Sequence, residues 1–172
     1  MRRSSKRSLV TALVVAAAVV TALAVAVART GRVVPWRYLL SNAAGYRVID
    51  GDTIRLDGVG SVRYIGIDAP ERDEPYYREA RRCNEELLAR GELRLKYGRA
   101  RYDRYGRTLA YVYVRDDDGG ETFVNEELVR AGWAETMEVP PDVAFAAVFR
   151  RAEEEARRGG RGIWAGAGGA EN

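Results

Sequence analysis

The chain has 172 residues, which is enough for one compact domain and an appended segment. It contains 28 Lys and Arg, 25 Asp and Glu, and no His, so Ser-His and Cys-His nucleophilic sites and histidine-based metal sites are excluded. Its one cysteine, Cys83, excludes an intrachain disulfide and is typical of a small packing residue.

An apolar block, residues 9–28, follows a basic start at residues 2–7. Its length is about that needed to cross a hydrocarbon core, which predicts an uncleaved membrane anchor. A secretory signal peptide is the alternative, since residues 26–28 (Ala-Val-Ala) match a small-x-small cleavage pattern. Both alternatives predict a location outside the cytoplasm for the rest of the chain. This part of the chain is expected at the cell membrane if the anchor remains, and secreted if the chain is cleaved after Ala28.

The net charge of +3 conceals a difference between two parts of the chain. Residues 1–29 contain five cations and no acidic residue, so residues 30–172 carry 23 cations against 25 acidic residues. The net charge of this larger part therefore does not support general binding to nucleic acids. Any such contact must come from a local group of cations, and residues 96–107 contain the clearest one.

A linker, residues 29–44, is predicted to lead into a β-rich region. Apolar and β-branched runs at 46–49, 53–56 and 62–67 are separated by glycine turns, which predicts an antiparallel meander. A helix is then predicted over 76–90, because its apolar residues recur at helical spacing before a glycine.

The second half of the chain is predicted to add strands at 92–97 and 108–114. Asn125 is expected to cap a short helix through Arg130, and a third helix is expected from Pro141 to Gly159. Five strands with helices after the third and fifth predict an α+β fold, a five-stranded OB-type Greek-key barrel with about three helices. This domain is assigned residues 45–165, with 166–172 as a C-terminal tail.

Two acidic segments lie at the ends of predicted strands. Asp52 belongs to an Asp-Gly-Asp turn, and Asp68 follows the strand at 62–67. Calcium takes six to eight oxygen ligands, which two aspartates, the Ala69 carbonyl and water would supply; magnesium is an alternative with stricter octahedral geometry. Such turns also form without a metal, because Asp side chains accept hydrogen bonds from their own backbone.

The position of Arg63 raises a geometrical question. Guanidinium groups bind phosphate oxygens well, but Arg63 and Asp68 have opposite parity on a regular strand. They would converge only if Gly66 kinks the strand, or if Asp68 lies beyond its regular end.

Five segments together resemble one known family. They read Ile-Asp-Gly-Asp-Thr (49–53), Arg-x-x-x-Ile-Asp-Ala-Pro-Glu (63–71), Asp-x-Tyr-Gly-Arg-x-Leu-Ala-Tyr-Val (103–112), Val-Asn-Glu-Glu-Leu-Val-Arg-Ala-Gly (124–132) and Gly-Ile-Trp (162–164). Their order and spacing resemble the staphylococcal nuclease (thermonuclease) family. The resemblance covers residues 46–164.

The resemblance implies calcium-dependent hydrolysis of DNA and RNA phosphodiester bonds, with single-stranded substrates preferred and a monomeric enzyme. It implies that Ca²⁺ is bound by Asp52, Asp68 and the backbone carbonyl of Ala69. It also implies that Glu71 is the general base and that Arg63 and Arg107 bind the phosphate. Arg104 and Tyr105 are implied to contact the substrate.

The chain departs from the family pattern after Ala134. Glu138 and Pro140 stand in the segment where the thermonuclease carries two tyrosines beside the substrate, so a different substrate preference is expected. The alternative function is a catalytically inactive OB module that binds nucleic acid or protein at the membrane. Such a module has no need to retain the five charged residues of the implied site.

Overall fold

The computed structural model describes residues 39–40 and 45–165. The predicted membrane anchor or signal peptide, most of the linker and the C-terminal tail lie outside these residues. Within residues 39–40 and 45–165, no helix combines the length and the apolar character that a membrane span requires.

The described residues form two β-sheets. The larger sheet has the order β1-β6-β7-β4-β3-β2, with β8 also paired to β7, and β4 runs parallel to β7. The smaller sheet pairs β5 with β9 in antiparallel fashion. The strands are β1 Leu39–Leu40, β2 Tyr46–Val48, β3 Thr53–Leu56, β4 Gly60–Tyr64, β5 Ile67–Asp68, β6 Glu92–Tyr102, β7 Thr108–Arg115, β8 Glu121–Phe123 and β9 Glu135–Thr136.

Three α-helices accompany the sheets within the described part of the chain: α1 Tyr77–Leu88, α2 Val124–Arg130 and α3 Ala146–Arg158. A short 3₁₀ helix, Gly162–Trp164, follows α3. The α+β fold with three helices is therefore confirmed. The sheet is mixed, and it contains strands at all five predicted places together with shorter ones. Closure of five strands into a barrel stays a prediction.

The core lies between the larger sheet and the three helices. Alternation along β3 and β4 turns Ile54 and Val62 inward, and both side chains are fully buried. From the helices, Leu88 of α1, Leu128 of α2 and Phe149 of α3 join the same buried cluster. Burial of each such side chain stabilises the fold by roughly 1.5–3 kcal/mol, so the helices hold one face of the sheet in place.

The third helix begins later than predicted, at Ala146 instead of Pro141. The reason is the side chain of Asp142, which accepts hydrogen bonds from the backbone N–H groups of Arg99 (2.5 Å) and Ala100 (3.1 Å) on β6. This attachment holds the chain across β6 as a series of turns, and regular helix follows only after the crossing.

Asn125 does not cap α2, because the helix already begins at Val124. Instead its fully buried side chain joins β7 to the turn that follows β4. Its Nδ2 donates to the Ile65 carbonyl and its Oδ1 accepts from the Val112 N–H, each at 2.9 Å. Asn125 therefore provides partners for two backbone groups that would otherwise be buried without any.

Candidate active site

The strand predicted over residues 62–67 is broken at Gly66. β4 ends at Tyr64, β5 begins at Ile67, and Gly66 has a φ of +84°, a region that glycine adopts without steric cost. The kink brings Arg63 and Asp68 to the same side, and Nη2 of Arg63 lies 2.6 Å from Oδ1 of Asp68. The first of the two conditions for their convergence is therefore met.

We expect Gly66→Ala to destabilise the protein by about 2–4 kcal/mol. A Cβ at this position would lie 2.4 Å from Cε2 of Phe149, and the positive φ adds strain. Gly58→Ala is the matched control, since Gly58 also has a positive φ but has nothing within 4 Å of the added Cβ. Urea unfolding measures both variants, and equal losses would contradict a packing role for Gly66.

Asp52 is held inside the protein by several hydrogen bonds. Its Oδ2 accepts from the Ala69 N–H at 2.6 Å and contacts the Arg63 guanidinium, while its Oδ1 accepts from the Thr53 hydroxyl at 3.1 Å. Asp50 accepts the Asp52 N–H at 3.0 Å, which is the local turn contact expected of an Asp-Gly-Asp sequence. Asp50 thus fixes the backbone of the turn, and the turn directs the side chain of Asp52 inward.

The two candidate metal-binding carboxylates have different environments. Burial raises the pKa of the Asp52 carboxyl to about 7, and the Arg63 charge and the Ala69 hydrogen bond act in the opposite direction. The Asp68 side chain is 56% exposed. With both carboxylates ionised, one guanidinium neutralises only half of their charge. The pair would then carry a net negative charge that stabilises a cation.

The donor set of this pair fits a hard cation that retains water ligands. Both carboxylates converge on one guanidinium, and Oδ2 of Asp68 makes no hydrogen bond within the described part of the chain. In residues 39–40 and 45–165, no three acidic or cysteine side chains form a group able to hold a metal. Backbone oxygens and water are further ligands that calcium accepts. The structure shows a contact only for the N–H of Ala69.

Arg107 is positioned by the turn between β6 and β7. The Asp103 carboxylate accepts the backbone N–H groups of Tyr105 and Arg107, both at 2.9 Å, and Nε of Arg107 at 2.6 Å. Burial acts to raise the pKa of Asp103, but these hydrogen bonds hold it below its usual value. Asp103 therefore stays charged and orients the Arg107 guanidinium.

Arg63 and Arg107 line one cavity of about 150 Å³. Its walls include Ala100, Leu109 and Met137, which are apolar. Asp103 and Asp142 also line it, and Asp103 is paired with Arg107, so a phosphate in this cavity would meet arginines whose charges are partly balanced by carboxylates. Electrostatic attraction there is stronger than in bulk water.

The other predicted site residues lie at the surface. Glu71 is exposed in the turn after β5, where its backbone N–H donates to the Glu74 carboxylate at 2.7 Å. Its own carboxylate forms no hydrogen bond or ion pair with residues 39–40 or 45–165, which suits a group that must exchange protons with water. Tyr105 is 68% exposed, and its hydroxyl accepts from Arg104 at 2.6 Å.

Sequence reasoning missed the positioning residues of this site. Asp103 was assigned no role, although its spacing of four from Arg107, with Gly106 between, favours the observed ion pair. Thr53 and the apolar cavity walls carried no comparable signal, because residues of these types are usually part of a strand or core.

Comparisons with known proteins agree with the geometry. Residues 61–166 match the family model described as staphylococcal nuclease homologue. A thermonuclease of Staphylococcus intermedius is 36% identical over 127 residues, covering 69% of this chain and 73% of that protein. A thermonuclease of Staphylococcus hyicus is 35% identical, covering 69% and 72%. Endonuclease YncB of Bacillus subtilis (strain 168) is 36% identical over 135 residues, covering 73% and 62%. The chain belongs to the staphylococcal nuclease family.

Proposed function

We propose that this protein is a calcium-dependent endonuclease that hydrolyses phosphodiester bonds in DNA and RNA. One observation carries the proposal: Arg63 contacts both Asp52 and Asp68 while it lines the same cavity as Arg107. The site thus combines a place for a phosphate with carboxylates suited to a cation. The relatives named thermonuclease and endonuclease support this class of reaction.

The two arginines would bind the phosphate that is attacked. Guanidinium groups form strong, charge-assisted hydrogen bonds with phosphate oxygens. Attack by water increases the negative charge on these oxygens, so fixed positive groups stabilise the transition state more than the bound substrate. Asp103 orients the Arg107 guanidinium, and Asp52 and Asp68 orient that of Arg63.

Asp52 and Asp68 would bind the calcium ion, with the Ala69 carbonyl and water as further ligands. When bound, the ion supplies positive charge beside the phosphoryl oxygens. Glu71 would accept a proton from the attacking water. Its exposure in the turn after β5 leaves its carboxylate open to water, although a carboxylate is a weak base.

The surroundings support a flexible, single-stranded substrate. The cavity is small, and the exposed side chains of Arg104 and Tyr105 stand at the adjacent turn, where they can contact a substrate phosphate and a base. We further propose that five strands of the domain, residues 45–165, close into an OB-type barrel and that the enzyme is a monomer. Residues 9–28 would place it outside the cytoplasm, anchored in the membrane or secreted.

We expect cleavage of single-stranded DNA to need calcium. In the purified protein, excess chelator should reduce cleavage to background, and added calcium should restore it, because Asp52 and Asp68 alone cannot stabilise a developing negative charge. Gel analysis of a labelled oligonucleotide measures the rate. Asp68→Asn should raise the calcium concentration needed for half-maximal activity at least about tenfold, whereas Asp57→Asn in an exposed turn should not.

Two outcomes would contradict the proposal. Undiminished cleavage in chelator would exclude the calcium requirement. Binding of the oligonucleotide without cleavage at any calcium concentration would indicate an inactive OB module instead.

A further inference from the structure

Positive charge is concentrated in one short segment of the domain. Residues 96–107 contain five cations and one acidic residue, a net charge of +4. The rest of residues 45–165 contains 16 cations and 23 acidic residues, a net charge of −7. A polyanion would therefore be attracted to this segment and repelled by most of the remaining surface.

The end of β6 presents two of these cations to solvent together with an aromatic ring. Arg99, Arg101 and Tyr102 are exposed, and Tyr102 has 60% of its surface accessible. We call these three residues the β6 edge. The guanidinium carbon of Arg101 lies 3.2 Å from the centroid of the Tyr97 ring, so this arginine is held against the strand. An exposed tyrosine between cations is typical of surfaces that stack nucleobases.

The β6 edge is continuous with the catalytic cavity. Ala100, which lies between Arg99 and Arg101 in the chain, forms part of the wall shared by Arg63 and Arg107. Tyr102 follows Ala100 by two residues, and two residues span at most about 7 Å, so its backbone lies within that distance of the wall residue Ala100. A substrate strand bound at the two arginines would therefore continue onto the β6 edge.

The backbone at this edge is not available for pairing with a peptide strand. The Asp142 carboxylate already accepts the N–H groups of Arg99 and Ala100, and the register between β6 and β7 shifts between Tyr97 and Tyr102. Recognition must use the side chains, and arginines with a tyrosine suit phosphates and bases. These features favour a nucleic-acid strand over a peptide added to the sheet.

We propose that the β6 edge binds the nucleotides next to the cleaved phosphate in a single-stranded substrate. Tyr102 stacks on a base, while Arg99 and Arg101 contact the flanking phosphates. This inference rests on the proposed function, and it extends the substrate contact beyond Arg104 and Tyr105.

Fluorescence anisotropy of labelled oligothymidylates in chelator tests the proposal without cleavage. Tyr102→Ala should weaken binding of a 12-mer about tenfold, and should lower the ratio of 12-mer to 3-mer affinity. Arg99→Glu with Arg101→Glu should weaken it at least as much and should make the dependence of affinity on salt less steep. Tyr46→Ala and Arg55→Glu, which change an exposed tyrosine and an exposed arginine on β2 and β3, are the matched controls.

Equal affinities for the β6-edge variants and the controls would overturn this inference. A 12-base-pair duplex that binds as tightly as the single strand, with the same loss in Tyr102→Ala, would also overturn it, since paired bases cannot stack on the ring. Cleavage assays of the unmodified protein in calcium separate the two hypotheses. If that protein cleaves DNA while the variants bind like the controls, only the β6-edge proposal fails.

Discussion

Glu71→Gln is expected to reduce kcat for single-stranded DNA by about 100-fold or more. The substitution keeps the size of the side chain but removes its ability to accept a proton from water. Glu71 is exposed, and its carboxylate has no partner within residues 39–40 and 45–165, so the thermal unfolding temperature should stay the same. Initial rates at saturating calcium, together with a melting curve, measure both quantities.

Asp73→Asn is the matched control for Glu71→Gln. It removes another exposed carboxylate from the same turn, two residues further along the chain. If both variants lose the same activity, the effect comes from the local negative charge, and the assignment of Glu71 as the base is wrong. If Glu71→Gln retains full activity, another group accepts the proton.

Asn125→Ala should lower the free energy of unfolding by about 3 kcal/mol, which is a large fraction of the stability of a domain of this size. The loss follows from two backbone groups, the Ile65 carbonyl and the Val112 N–H, which would remain buried without a hydrogen-bond partner. Because Ile65 directly precedes the kink at Gly66, activity should also fall. Urea denaturation and a cleavage assay measure the two effects.

Glu85→Ala provides the comparison for a helical position at the surface. Glu85 forms an exposed ion pair with Arg81 one turn away, and such pairs contribute only about 0.2–1 kcal/mol. A loss of similar size in Asn125→Ala would show that water replaces the missing side chain. The interpretation of Asn125 as a bridge between β7 and the turn after β4 would then be wrong.

Local patterns were sufficient to predict most of the regular structure. Alternation of apolar residues and glycine turns correctly placed the meander of β2, β3 and β4, and helical spacing placed α1 to within two residues at each end. The late start of α3 was not predictable in this way. It depends on the bond between Asp142 and β6, which joins residues far apart in the chain.

The site shows the same division. Arg63, Asp68 and the two alternative conditions for their convergence were all accessible from the sequence, since the parity of side chains along a strand is a local property. The cavity that Arg63 and Arg107 share could not be predicted from the sequence, because it depends on the parallel pairing of β4 with β7. The role of Glu71 came only from the family resemblance, and both this role and that of the Ala69 carbonyl stay predictions.

The pairing of β5 with β9 has a consequence for the time at which activity arises. Asp52, Arg63 and Asp68 are synthesised early, but Asp68 lies opposite Glu135 and the kink at Gly66 lies against Phe149, both much later in the chain. A growing chain therefore carries these residues before it has the framework that arranges them. For an enzyme proposed to act outside the cytoplasm, this order of synthesis would keep the nascent chain inactive until its last helix has been made.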